Sequence, residues 1–264
     1  MLRPPGGRLA GLYLLLTTVD VALWRRLVAE FLGSAFLAAV VVGSGIAAQR
    51  LSLGNTGLEL FENAAATAAG LFAIIATFGP VSGGHLNPVV SLVDAAFGGL
   101  CWRDAAWYVP SQVLGCALGA LAANAMFSLP VAELSTRHRG SPAHFLSEVV
   151  ATLGLVLVIF ALARSGRSRS APAAVGSYIG AAYFFTSSTS FANPAITVGR
   201  MFSDTFAGIS PSSAPGFVAA QVLGGGAALV LIHVLYPRLS PAQASDVVTP
   251  HGDRIGAPET VVAP

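Results

Sequence analysis

The chain has 264 residues, of which 54% are hydrophobic and only 10% charged, with a formal net charge of +2. A soluble globular domain carries roughly 25% charged residues. The composition therefore points to an integral membrane protein and excludes an electrostatic binder of nucleic acid.

Residues 1–24 read as a cytoplasmic or interfacial extension. Positions 9–23 are apolar behind Arg3 and Arg8, but Asp20 interrupts them. They are too short to span and lack a clear small-residue cleavage site. Six apolar segments then have about the length a spanning helix needs. They cover 27–48, 62–78, 105–126, 145–163, 173–185 and 213–236. Small residues such as Gly115, Gly119, Gly176, Gly180, Gly224 and Gly225 recur in them, as close helix packing in lipid requires. Two further apolar stretches, 88–98 and 194–206, are too short to cross. A polar tail, 239–264, reads as disordered and cytoplasmic. Cys101 and Cys116 fall in or beside spans and form neither a disulfide framework nor a metal site, so no metal and no cofactor is expected.

Every basic residue is arginine. With six spans and a cytoplasmic N-terminus, the arginines crowd the inner side, most clearly Arg164, Arg167 and Arg169, while Arg50, Arg137, Arg139 and Arg200 fall outside. Both termini are then cytoplasmic, in a plasma or inner membrane.

The two halves repeat each other, about 25–127 and 144–238 within a channel domain of 25–238. Glu30 matches Glu148, Asn87-Pro88-Val89 matches Asn193-Pro194-Ala195, and Gln112 with Gly115 matches Gln221 with Gly224. Three spans per copy is an odd number, so the second copy is inverted in the membrane. The two Asn-Pro segments enter from opposite faces and meet near the midplane. Asparagine is a strong N-cap and proline suits the first helical position, so each pair starts a helix. The positive ends of both helix dipoles then point at the centre and repel cations. The residues before each cap, Gly83-Gly84-His85-Leu86 and Thr189-Ser190-Phe191-Ala192, expose carbonyls that are tolerated at that depth only beside a watery path. Such a path suits small uncharged solutes.

Glu30 and Glu148 are ionisable residues within spans, and have two readings: proton relays, or acceptors that hold the irregular loops. The pairing of each Glu with a loop in its own half favours the second. His85 either faces the pore or packs the loop. Gln112 and Gln221 tie helices together.

These residues resemble the major intrinsic protein (aquaporin and aquaglyceroporin) family over positions 25–238. The resemblance implies an all-α membrane protein: six transmembrane helices, two re-entrant half-helices, an inverted 3+3 repeat, a pore in each subunit and a homotetramer. It also places a selectivity filter at Thr67, Ala181, Ser190 and Ile196. The family usually has arginine directly after the second Asn-Pro-Ala, where Ile196 stands here, so a wide, arginine-less filter is expected. Arg200 lies one helical turn further on; it either reaches the outer mouth, pairs with Asp204 or snorkels to the surface. The stretch 187–209 is similar to bacterial members associated with arsenic resistance, which implies metalloid hydroxides, methylated arsenicals, glycerol and water as candidate solutes. A water-selective channel is one alternative, and a proton-coupled transporter using Glu30 and Glu148 is another. Nothing in the sequence supports an enzyme.

Overall fold

The computed structural model describes residues 21–236. The expected tail and almost all of the expected N-terminal extension lie outside the described residues. The elements in chain order are α1 (Leu23–Leu51), α2 (Thr56–Ser82), α3 (Pro88–Phe97), α4 (Trp102–Met126), α5 (Pro142–Arg164), α6 (Ala171–Phe185), α7 (Pro194–Gly199) and α8 (Ala214–Leu235). Five of them, α1, α2, α4, α5 and α8, are long and apolar enough to cross a membrane. The sixth expected span, α6, has 15 residues, roughly 22 Å of helix, and a 3₁₀ turn at Ser168–Ser170 extends it.

Side-chain chemistry explains where the helices start. Asn55 Oδ1 accepts the Leu58 N–H at the start of α2, and Ser141 Oγ accepts the His144 N–H at the start of α5. Both α5 and α7 open on proline. At its far end α2 closes on Gly83, whose φ of 91° is open to glycine.

The burial pattern is inverted relative to a soluble protein. Glu30, Gln112, Glu148 and Gln221 are fully buried, while Phe36, Leu114, Leu223 and Val230 are more than half exposed. Apolar side chains thus face the lipid and the polar ones are gathered inside. α1 packs on α2 and α4, α5 on α6 and α8, and α2 meets α6 between the halves. The tightest contacts fall at matched glycines. A Cβ on Gly115 would lie 2.3 Å from the Phe31 carbonyl oxygen, and one on Gly224 would lie 2.4 Å from that of Val149. Only glycine permits these backbones to approach so closely.

Helices α3 and α7 do not cross. They start back to back inside the bundle and run to opposite sides, each contacting α4 and α8. We call the side where α1 begins the first face and the other the second face; α3 runs to the first and α7 to the second. The second half-helix is shorter than 194–206: it ends at Gly199, passes through a 3₁₀ turn at Arg200–Phe202, and turns extended at Ser203.

Candidate functional site

Two loops and two half-helices form the centre. Asn87 Oδ1 accepts the Val89 N–H at 3.0 Å, and Asn193 Oδ1 accepts those of Ala195 at 2.9 Å and Ile196 at 3.3 Å. Each amide group donates across the pseudo-symmetry axis. Asn87 Nδ2 reaches the Ala192 carbonyl at 2.7 Å, and Asn193 Nδ2 reaches the Leu86 carbonyl at 2.7 Å. Each asparagine thereby caps its own helix and pins the opposite loop. The second amide hydrogen of each is left over from that bond, and both asparagines line one cavity.

The loops need this support because their backbone is strained. Leu86 (φ 51°) and Ala192 (φ 48°) occupy matched left-handed positions, followed at once by an extended asparagine. Glu30 holds the first loop: Oε1 accepts the His85 N–H at 3.0 Å and Oε2 the Leu86 N–H at 2.7 Å, with Ser82 and Gln112 completing its shell. Glu148 holds the second: it accepts the Phe191 N–H at 2.9 Å, the Ala192 N–H at 2.8 Å and Gln221 Nε2 at 2.6 Å. Gln112 also donates to Ser91 Oγ, and Gln221 to Thr197 Oγ1. The two carboxylates therefore sit behind the loops as acceptors. Among the described residues that line the cavity there is no Asp or Glu. That geometry removes the basis for the proton-relay reading.

The cavity holds about 50 Å³, room for a short file of waters at roughly 10–15 Å³ each. Its lining includes the aliphatic side chains of Val41, Leu71, Leu155, Ile159, Val175 and Ile179. It also includes Gly84, His85, Leu86, Asn87, Ser190 and Asn193 from the two loops and caps. Gly83, Pro88, Val89, Ala192, Pro194 and Ala195 are buried behind this lining rather than in it. His85 does both things considered for it: it lines the cavity, and its Nδ1 lies 3.1 Å from Ser91 Oγ.

The expected filter needs two corrections. Thr67, Ser190 and Ile196 line the cavity, but Ala181 is exposed on the outer surface of α6. The α6 residues in the wall are Val175, Ile179 and Tyr183, a stripe at i, i+4 and i+8. Tyr183 Oη lies 3.1 Å from Thr67 Oγ1 in the same wall. Counting back from Asn193 failed because the intervening loop is not helical; the helical stripe was the better signal.

The wall is also not free of arginine. Arg200 is 2% exposed and lines the cavity. Its Nε donates to the Ala207 carbonyl, and its guanidinium stacks on Phe191 with Cζ 3.4 Å from the ring centre. It makes no pair with Asp204, whose carboxylate accepts from Thr136. A second arginine, unmarked in the sequence, lies on the same ring: Arg139, in the loop before α5, has its Cζ 5.2 Å from the Phe191 centroid. Its guanidinium donates to the carbonyls of Gly208, Ser188 and Phe206. Burial, then neighbouring Arg137, pulls its pKa down to about 10, which leaves it charged near neutral pH.

The sequence pattern of the major intrinsic protein family matches residues 17–192. The aquaglyceroporin AqpS of Rhizobium meliloti (strain 1021) is 49% identical over 221 residues, covering 84% of this chain and 93% of that protein. Human aquaporin-9 is 35% identical over 172 residues, 57% of each chain. Among solved structures, the aquaglyceroporin of Plasmodium falciparum superposes with a TM-score of 0.62 at 20% identity, over 82% of this chain and 98% of that one.

Proposed function

Because the chain belongs to the major intrinsic protein family, a family of channels and not of enzymes, we propose that it passes small uncharged solutes passively between Asn87 and Asn193. The observation that carries this reading is that both asparagines line a single cavity while no carboxylate does. Two helix N-termini face that cavity, and their dipoles oppose a cation or a transferring proton. A lining that combines aliphatic side chains with the asparagine amides and loop residues fits a solute shaped to present both carbon and hydroxyl groups. Glycerol has that shape, and relatives named aquaglyceroporins make it the first candidate. Trivalent metalloid hydroxides and methylated arsenicals share the small, neutral, hydroxylated character, and water is small enough to accompany them. The arginine distribution supports a first face that is cytoplasmic, with both termini there, in a plasma or inner membrane. Exposed apolar helix faces on every side of the bundle fit a lipid bilayer and a homotetramer.

Stopped-flow light scattering of proteoliposomes tests the proposal with water, glycerol and arsenite as a panel. Glycerol should enter well above the rate of empty vesicles, and an imposed pH gradient should not drive it uphill. Uphill uptake would move the chain to the class of coupled transporters.

A further inference from the structure

The two half-helices carry a second matched pair of residues. Seven positions after Asn87 stands Asp94, and seven after Asn193 stands Arg200. Both are buried, at 3% and 2% exposure. Each reaches back to the residue two places before its asparagine. Asp94 Oδ2 lies 3.4 Å from His85 Nε2, as Arg200 Cζ lies 3.4 Å from the centre of the Phe191 ring. His85 and Phe191 both line the cavity. Elsewhere the two loops are built alike: a glutamate on two backbone N–H groups, a glutamine on that glutamate, and a hydroxyl four places after the asparagine. An acid and a base at the matched seventh position break that likeness. The inversion puts the acid toward the first face and the base toward the second.

We propose that Asp94 and Arg200 form a polarity pair of the channel: Asp94 positions the His85 ring at the first-face end, and Arg200 is a specificity-determining donor to solute at the second-face end. The proposal rests on the channel reading above. For Arg200, Nε is committed to the Ala207 carbonyl, while the two terminal nitrogens have no hydrogen-bond partner among the described residues. Neither nitrogen is fully enclosed by protein, and Arg200 lines the cavity. Their donors must therefore find acceptors in whatever fills the channel. Arg139 is the contrast, since all three of its nitrogens are taken by loop carbonyls.

Asp94 does not line the cavity, so it acts through His85. Its Oδ1 is buried without a partner among the described residues, and its Oδ2 lies on the imidazole. The other groups facing His85 are Ser91 on Nδ1, Glu30 of α1 on the backbone N–H, and Tyr108 of α4 with ring centres 5.5 Å apart. Asp94 meets the ring itself, at Nε2.

Glycerol and water flux in proteoliposomes tests the pair, with each variant compared at equal amounts of monodisperse protein. Asp94→Asn should shift the glycerol-to-water ratio by at least about threefold, because the ring that lines the cavity loses the carboxyl group beside its Nε2. Arg200→Gln should shift the glycerol-to-water ratio by at least about fivefold. If either variant scales water and glycerol together, its residue is structural and the proposal is overturned. Should Asp94→Asn not fold, Asp94→Glu replaces it: the longer arm displaces the ring and should shift the ratio, and an unchanged ratio overturns the assignment. Wild-type flux no faster than empty vesicles would instead overturn the channel reading, and this pair with it.

Discussion

The two loops at the channel centre share a scaffold and differ in lining. In the first, glycines precede the asparagine, an imidazole faces the cavity and α3 runs for 10 residues. In the second, serines and threonine precede it, a phenylalanine faces the cavity and α7 breaks after 6 residues. What stays constant between the halves holds backbone in place: Glu30 and Glu148, Gln112 and Gln221, and the asparagine caps. Among the positions that differ, His85 against Phe191 and Gly84 against Ser190 line the cavity, while the two asparagines line it and stay the same.

The most severe way to break this comparison is to remove a scaffold member. Glu30→Ala and Glu148→Ala each strand two backbone N–H groups at a strained turn, at a cost of about 1–3 kcal/mol per group. Both should lose most folded protein, to a similar degree, in a detergent thermal-stability assay; a large asymmetry would break the equivalence. Next in size, Gly115→Leu and Gly224→Leu should each separate a helix pair and lower the melting temperature by several degrees, because a Cβ at either site already meets backbone oxygen. Ile196→Arg should cut glycerol flux by about fivefold or more while sparing water to a greater extent, since it adds a second guanidinium to a wall that already holds Arg200. The mildest is Tyr183→Phe, which removes the bond to Thr67 and should cost about 1 kcal/mol, read as a small shift in melting temperature.

How much of this was legible in the sequence follows the same division. The scaffold was readable because a polar side chain in an apolar segment must have a partner, and the matched order in two halves named the partners. The number of spans was readable for the same reason, although helix ends ran past the apolar cores: α2 begins at Thr56 and ends at Ser82 rather than covering 62–78. The lining was harder. Ala181 was placed by counting through a loop of irregular rise, and an error of two residues turns a helical side chain about 200° away from the cavity. Arg200 was visible as a candidate, but its direction depends on the break after Gly199, which no local signal announces. Asp94 and Arg139 carried no motif at all; comparing the seventh position after each asparagine would have found the first of them.

Thiol access to the wall tests most directly that this cavity is the solute path. In a Cys101→Ser, Cys116→Ser background, Ile196→Cys and Ala181→Cys are compared for glycerol flux with and without mercuric chloride. The cavity as described predicts that Ile196→Cys is blocked and that a reducing thiol restores it, while Ala181→Cys, exposed on the outer surface of α6, is unaffected. Block at Ala181 with none at Ile196 would contradict it.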